Sequence, residues 1–207
     1  FKASPEKPVG MYVNDFDMNG SVEQIISTFD GDESYPLALK HDLLRQLPGL
    51  EKKYTSYELY KDQQVADIFP EEQLNNSIKL EANQLETSLF INNGEGKYNR
   101  KSLPAEVQFS SVFAAGIDDY NNDGNPDILL GGNLHNVKPE VGRYDASYGS
   151  FLLGDGQGNF NYVPSRFSGF RLTGEIRDIM KVDTPTGEVL VVSRSDDPLQ
   201  VFKVIER

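Results

Sequence analysis

Apolar residues in this chain occur in short runs, separated by turns rich in glycine, asparagine and aspartate. Residues 24–29 and 128–131 are apolar segments that each follow an acidic loop directly. Residues 89–98 and 151–160 both run from an apolar strand through a glycine-rich turn to an aromatic residue. That order is typical of a β-hairpin. The pattern therefore predicts a chain built mainly from short β-strands.

One stretch departs from this pattern and predicts a helical insertion at about residues 40–83. Four leucines there have the spacing of one helix face: Leu43, Leu44, Leu47 and Leu50. Three tyrosines follow at intervals of three residues, at positions 54, 57 and 60. Such a stripe usually packs a segment onto its neighbour, although the insertion could also serve as a cap that binds a partner.

The end of the chain predicts three further strands, at residues 176–182, 189–193 and 199–205. The segment between the first two, residues 183–188, is one residue shorter than the acidic loops and lacks their pattern of oxygen ligands. We expect an ordinary turn without metal at this point.

The spacing of these signals predicts a repeated unit of about 60 residues. Gly94 and Gly156 of the two hairpins are 62 residues apart, whereas Asp15 and Asp119 of the two acidic loops are 104 apart. The difference matches the helical insertion. Short strands repeated at such a period are typical of β-propeller blades. We predict three blades, at residues 1–105 with the insertion, 106–168 and, degenerate, 169–207. Propellers have four to eight blades, so three would form a partial ring that packs against further blades or self-associates.

Charge and composition narrow the function classes. The chain has 20 basic and 32 acidic residues, for a net charge of −12. A nucleic-acid partner is therefore disfavoured, because such binding needs a basic footprint. No apolar run is long enough to span a membrane, and there is no cysteine. Since the sequence starts without a methionine or signal peptide, we interpret it as a piece of a longer protein.

The two acidic loops have the alternation of a calcium-binding loop. Each has a glycine at position 6, where the backbone must reverse through dihedrals that other residues avoid. Calcium takes six to eight oxygen ligands, which a tight turn can gather. The expected ligands of the first loop are Asp15, Asp17, Asn19, Glu23 and the Ser21 carbonyl. Those of the second are Asp119, Asn121, Asp123, Asp127 and the Asn125 carbonyl. The alternative is an Asp/Asn turn held by its own hydrogen bonds.

Residues 118–131 resemble the FG-GAP/VCBS repeat of integrin-α-type propellers. More narrowly, the chain is similar to the C-terminal region of Bacteroidetes VCBS-repeat proteins of the ASPIC/UnbV-associated type. Residues 36–39, 80–88, 142–147 and 196–202 carry that likeness. The resemblance implies calcium in blade loops and a location outside the cell, in the periplasm or on the outer-membrane surface. It implies no reaction. Asn19, Glu23 and Asn121 depart from the aspartates of the repeat, which predicts weaker metal binding.

A second candidate site is Arg143, Tyr144 and Asp145, in a loop between two strands of the second unit. These residue types are frequent in sugar and peptide contacts. The alternative is an Arg143–Asp145 ion pair that holds the loop. The two histidines, His41 and His135, have no partner at zinc-like spacing, and no catalytic motif is present.

We therefore expect a calcium-stabilised extracellular propeller segment that serves as a protein- or glycan-interaction scaffold without catalysis. The first alternative is a polysaccharide-acting hydrolase or lyase, which needs two carboxyl groups about 5–10 Å apart in one pocket. The second is a structural module that presents other domains of a longer chain.

Overall fold

Residues 2–139 and 141–203 are described by a computed structural model of the chain. The fold is mainly β, as predicted, with four antiparallel sheets. None of these sheets closes on itself within the described residues. The chain divides into two compact units, Phe1–Leu85 and Glu86–Arg207. This division falls before the blade boundary predicted at residue 105, and the arrangement as propeller blades stays a prediction.

The first unit contains a four-stranded sheet in the order β3-β2-β1-β4. Its strands are β1 (Val9–Asn14), β2 (Glu23–Asp30), β3 (Glu33–Pro36) and β4 (Ile78–Ala82). The first acidic loop joins β1 to β2, and β2 is the outgoing strand predicted at residues 24–29. The strand β4 returns to pair with the free side of β1, in the register Met11 opposite Leu80.

Helices lie where the sequence predicts them, between β3 and β4. They are α1 (Lys40–Gln46), a 3-10 helix (Pro48–Lys52), α2 (Val65–Ile68) and α3 (Glu71–Asn75). The side chains of Leu43 and Leu47 in and after α1 are buried, in a cluster with Tyr54 and Tyr60. These two tyrosine rings meet edge to face, with centroids 5.5 Å apart. The insertion thus packs its own apolar side chains together with Phe16 and Ile25 of the sheet region.

The predicted insertion ends in a strand, not in a helix. Residues 78–82 form β4, because Ile78, Lys79, Leu80 and Glu81 alternate with the period of two that a strand requires. The leucines earlier in the segment have helical spacing, so the sequence predicts a helical insertion up to about residue 83 and misses the strand at its end.

The second unit contains the other three sheets. A hairpin pairs β5 (Ser88–Asn92) with β6 (Tyr98–Ser102), and the second sheet has the order β10-β9-β8-β7. Its strands are β7 (Val112–Asp118), β8 (Asp127–Gly132), β9 (Ser150–Gly154) and β10 (Phe160–Val163). The third sheet consists of β11 (Ile176–Thr184), β12 (Gly187–Arg194) and β13 (Asp197–Lys203). A 3-10 helix (Ala105–Phe109) and α4 (Ser165–Ser168) complete the unit.

Both predicted hairpins form, at β5–β6 and at β9–β10. Within the described residues, β5 and β6 pair only with each other, so this hairpin is a sheet of its own. The three strands predicted near the end of the chain correspond to β11, β12 and β13. The last two residues of the segment predicted at 199–205 lie outside the described residues.

The strand β8 is buried along its whole length, because both faces of its sheet are covered. Ile128 and Leu130 pack on one face with Val107 and Leu152. On the other face, Leu129 belongs to a cluster with residues of β11 and β12. A side chain at Gly131 would place its Cβ 2.6 Å from a methyl carbon of Ile176. The glycine therefore permits the close approach of the third sheet.

Truncation of Leu43 should destabilise the protein strongly, since this side chain is 0% exposed. We expect Leu43→Ala to lower the free energy of unfolding by about 2–5 kcal/mol, through lost burial and the cavity left behind. Urea unfolding followed by circular dichroism measures this. The matched control is Leu59→Ala, at a side chain that is half exposed. Equal, small effects of both variants would contradict the packing described for the insertion.

Candidate metal site

The first acidic loop, residues 15–22, is organised by the carboxylate of Asp15. Counting Asp15 as position 1, its Oδ1 accepts a hydrogen bond from the Asn19 amide at 3.0 Å. Its Oδ2 accepts one from the Gly20 amide at 2.8 Å. The Asn19 amide also donates to Asp17 Oδ1 at 3.2 Å, and Asn19 Oδ1 accepts from the Ser21 amide at 2.7 Å. Asp15 thus makes two of the hydrogen bonds that hold the turn, and Asp17 and Asn19 accept one each.

The carboxylate at position 9, Glu23, closes the loop onto the start of β2. It is only 6% exposed, and its Oε2 accepts a hydrogen bond from the Phe16 amide at 3.0 Å. One oxygen each of Asp15, Asp17 and Glu23 lie within 4.8 Å of one another. This triad could hold a metal ion, because it presents three anionic oxygen ligands to one centre. Within the described part of the chain, no other three carboxylate or histidine ligand atoms converge so closely.

The second loop, residues 119–126, repeats this hydrogen-bond pattern bond for bond. Asp119 Oδ1 accepts from the Asp123 amide at 3.1 Å, and Oδ2 accepts from the Gly124 amide at 2.7 Å. Asn121 Oδ1 accepts from the Asp123 amide at 3.0 Å, and Asp123 Oδ1 from the Asn125 amide at 2.8 Å. Asp127 Oδ2 accepts from the Tyr120 amide at 3.0 Å. Residues at positions 1, 3, 5 and 9 therefore have equivalent roles in both loops.

The backbone conformations of the two loops agree as well. Position 4 is left-handed in both, with φ of 58° at Met18 and 59° at Asn122. The glycines at position 6 have φ of 88° at Gly20 and 87° at Gly124. Because a Cβ disfavours this region, the glycine predicted from the sequence has a direct conformational reason.

The loops differ in charge at position 3. The second loop has the neutral Asn121 there, whose Nδ2 donates to Asp123 Oδ2 at 2.8 Å and lowers the pKa of Asp123. Asp127 is 0% exposed and also accepts from the Gly154 amide at 3.0 Å. Burial raises the pKa of Asp127 against the effect of these hydrogen bonds. The second loop matches the repeat more closely in sequence, whereas in the first loop one oxygen of each of the three carboxylates lies within 4.8 Å of the others.

The predicted ligand residues lie in these two loops and, for Glu23 and Asp127, at the first residue of the strand that follows each loop. Ser21 and Asn125 are held through their N–H groups. Ligation by their carbonyl oxygens stays a prediction. The sequence interpretation missed the residue before each loop. Asn14 Oδ1 accepts from the Asp15 amide at 3.0 Å, and Asp118 Oδ1 from the Asp119 amide at 2.9 Å. An oxygen-bearing residue immediately before position 1 in both loops was the available signal.

Two supporting contacts come from distant residues and have no local sequence signal. In the first unit, Asn14 Nδ2 donates to the Gln73 carbonyl at 3.1 Å, and Gln73 Nε2 donates to the Phe16 carbonyl at 3.1 Å. In the second unit, Asp118 forms an ion pair with Lys181 of β11, which lowers the pKa of Asp118. Each loop is therefore attached to a neighbouring element as well as to its own strands.

No family model matches this chain, and neither a curated protein nor a solved structure matches it. Among the described residues, no helix has the length and apolar character that a membrane span requires. The likeness to the FG-GAP/VCBS repeat therefore stays a prediction from the sequence.

The other candidate site, Arg143, Tyr144 and Asp145, has exposed side chains. No ion pair joins Arg143 to Asp145 within the described residues. The loop is held instead by its main chain, since Leu134 and Tyr144 exchange two amide–carbonyl hydrogen bonds of 2.8 and 2.9 Å. Ligand binding by these three residues stays a prediction.

A buried carboxylate anchors the start of this same loop. Glu175 Oε1 accepts from the His135 amide at 2.6 Å and from Arg177 at 3.0 Å. These interactions lower the pKa of Glu175, with the hydrogen bond from His135 as the largest cause. The charged form of Glu175 thus stabilises the fold.

Replacement of the position 6 glycines should cost stability. We expect Gly20→Ala and Gly124→Ala each to lower the free energy of unfolding by about 1–2 kcal/mol, because both need a left-handed backbone. Urea unfolding measures the change. The control is Gly49→Ala, which has no positive φ and would place its Cβ in open space. A cost at Gly49 equal to that at Gly20 would show that the turn geometry is not the cause.

Glu175→Gln should give a pH-dependent loss of stability. Because the folded-state pKa of Glu175 lies below the ordinary 4.5, its contribution is complete above pH 4.5 and is lost as the pH falls through the folded value. The variant should therefore be less stable than the unmodified protein at pH 7, with a difference that shrinks below pH 4.5. Urea unfolding at several pH values measures this. The control is Glu106→Gln, at an exposed side chain. If the stability difference between Glu175→Gln and the unmodified protein did not depend on pH, this would contradict the lowered pKa of Glu175.

Proposed function

We propose that this chain is a calcium-stabilised segment of an extracellular β-propeller that serves as a scaffold for binding a protein or glycan partner. The observation that carries the proposal is the identical hydrogen-bond geometry of two loops whose functional side chains offer only oxygen ligands. A calcium-loop repeat accounts for both the geometry and the ligand type.

The donor set favours a hard divalent cation. Carboxylate and amide oxygens suit calcium or magnesium, whereas zinc and copper sites use histidine or cysteine. The hydrogen bonds within each loop leave room for ligation, because a carboxylate oxygen with one N–H partner retains a lone pair. Calcium is favoured over magnesium since it tolerates irregular geometry and many protein ligands. The ion would neutralise the repulsion among Asp15, Asp17 and Glu23.

The layering of the second unit supports a propeller architecture. Its four-stranded meander has one face packed against the β11–β13 sheet and the other packed by the region around Leu89 and Val107. Apolar side chains also stay at least half exposed on β4, at Ile78 and Leu80, and on the third sheet, at Met180 and Val201. Such faces suit packing against further blades or a second copy of the chain. The extracellular location follows from the family resemblance.

Calcium would act as a structural ion. Extracellular calcium modules bind at about 10⁻⁴–10⁻³ M. At about 1 mM calcium, each occupied loop would then stabilise the fold by roughly 0.4–1.4 kcal/mol. This is enough to order a loop, and it ties stability to the extracellular calcium level.

Calcium titration tests the proposal. We expect isothermal titration calorimetry to detect two sites, and the melting temperature to rise by about 1–5 °C per occupied loop at about 1 mM calcium relative to chelated protein. Asp17→Asn should remove the first site and Asp123→Asn the second. Both variants retain the Oδ1 acceptor that holds the turn, so the loss would reflect the missing charge.

The matched control is Asp30→Asn, an exposed carboxylate at the end of β2, which should leave both sites intact. Magnesium tests ion selectivity and should bind more weakly. If calcium produces neither heat nor a change in melting temperature, the loops are turns held by hydrogen bonds alone and the proposal fails.

A further inference from the structure

A cavity of about 180 Å³ opens on the sheet of the first unit. Gly10 and Ser27 line it, and they are paired directly across β1 and β2. Glu81 of β4 is opposite Gly10 on the other side, and Lys79 is opposite Tyr12. Side chains paired in this way lie on the same face of a sheet. The cavity is thus built into the strand register.

The glycine at position 10 makes room for this cavity. A Cβ there would lie 2.9 Å from Ser27 Oγ, closer than such contacts normally allow. Any other residue would displace the Ser27 hydroxyl or cover it. Gly10 therefore keeps this hydroxyl accessible from the cavity.

The Ser27 hydroxyl opens into the cavity and is available to a ligand. Ser27 as a whole is only 3% exposed, but its Oγ is not one of the buried polar atoms without a partner among the described residues. No side-chain hydrogen bond of the described residues occupies this hydroxyl, so it can donate to or accept from a ligand hydroxyl in the cavity.

The walls combine aromatic rings with charged groups. Tyr12 and Phe29 both line the cavity, and the Lys79 ammonium lies 5.7 Å from the Tyr12 ring centroid. Lys79 also forms an ion pair with Glu81 at 2.8 Å. The site therefore offers apolar ring surface beside strong donors and acceptors. A sugar ring has the matching chemistry, with C–H groups on its faces and hydroxyl groups around its edge.

Size and charge limit the sugar. Pockets for drug-sized ligands have volumes of about 300–1,000 Å³, so a cavity of this size suits a single ring. Glu6 and Glu81 together outnumber the one cation, Lys79, among the side chains that line the cavity. An acidic sugar would be repelled.

We propose that this cavity binds one neutral monosaccharide unit, as the terminal residue of a glycan. Ser27 and the Lys79–Glu81 pair bind its hydroxyl groups, and Tyr12 and Phe29 pack against its ring. The inference rests on the binding role proposed above and selects glycan over protein as the ligand. It does not depend on the metal, because the cavity lies outside the acidic loop.

Ligand-detected NMR and calorimetry with glucose, galactose, mannose, xylose and N-acetylglucosamine test the site, with glucuronic acid as the acidic comparison. At least one neutral sugar should bind, and glucuronic acid should bind more weakly. Ser27→Ala should weaken that binding about 3- to 10-fold, as expected for one neutral hydrogen bond. Glu81→Gln should weaken it about 10- to 100-fold, as expected for a charged one.

Thr28→Ala is the matched control, since it removes a hydroxyl from the neighbouring residue of β2, on the opposite face. It should leave the affinity unchanged, and both serine and threonine variants should unfold like the unmodified protein. The inference is overturned if no neutral sugar binds, if Ser27→Ala binds as well as Thr28→Ala does, or if glucuronic acid binds best.

Two further arms separate this inference from the other proposals. If the unmodified protein binds sugar but calcium produces neither heat nor a change in its melting temperature, the calcium proposal fails and the cavity is supported. Calcium binding without any sugar binding would do the reverse. Release of reducing sugar from an aryl glycoside, abolished in Glu6→Gln, would replace the binding site by the hydrolase alternative, because Glu6 and Glu81 face one cavity.

Discussion

One hydrogen bond closes each acidic loop and makes the rest of its geometry possible. It joins the carboxylate at the start of the outgoing strand to the second amide of the loop, from Phe16 to Glu23 and from Tyr120 to Asp127. Both carboxylates are buried, so the bond is protected from water and strengthened by its surroundings. With the loop closed, the position 1 aspartate reaches two amides in the same turn. In the first loop, one oxygen of each of Asp15, Asp17 and Glu23 then lies within 4.8 Å of the others.

This arrangement has an electrostatic cost in both loops, because each carries three carboxylates. In the first loop, Asp15, Asp17 and Glu23 occupy positions 1, 3 and 9, and one oxygen of each lies within 4.8 Å of the others. In the second loop the carboxylates occupy positions 1, 5 and 9, and the charges of Asp123 and Asp119 add to the effect of burial in raising the pKa of Asp127. Asn121 at position 3 of that loop donates a hydrogen bond to Asp123 and stabilises its charge. A cation would relieve the repulsion in either loop.

Sequence reasoning succeeded where the signal is local. The glycine at position 6, the acidic cluster of the first loop, the hairpins and the helix with Leu43 all depend on residues that are close together in the sequence. It failed where partners are far apart in the chain. The pairing of β4 with β1 spans about the whole insertion, and Gln73 and Lys181 reach the loops from other elements. Nothing near these residues in the sequence indicates such contacts, since they follow from how the elements pack.

The Ser27 cavity is a second feature that the sequence alone does not predict, because it depends on a contact between paired strands. Gly10 has an ordinary backbone conformation, so neither a turn nor a positive φ explains the glycine. Its reason appears only across the strand, where a Cβ would collide with the Ser27 hydroxyl. A glycine inside a strand weakens side-chain packing and lowers the strand propensity of the segment. Here the missing side chain leaves space for the cavity and keeps the Ser27 hydroxyl open to it.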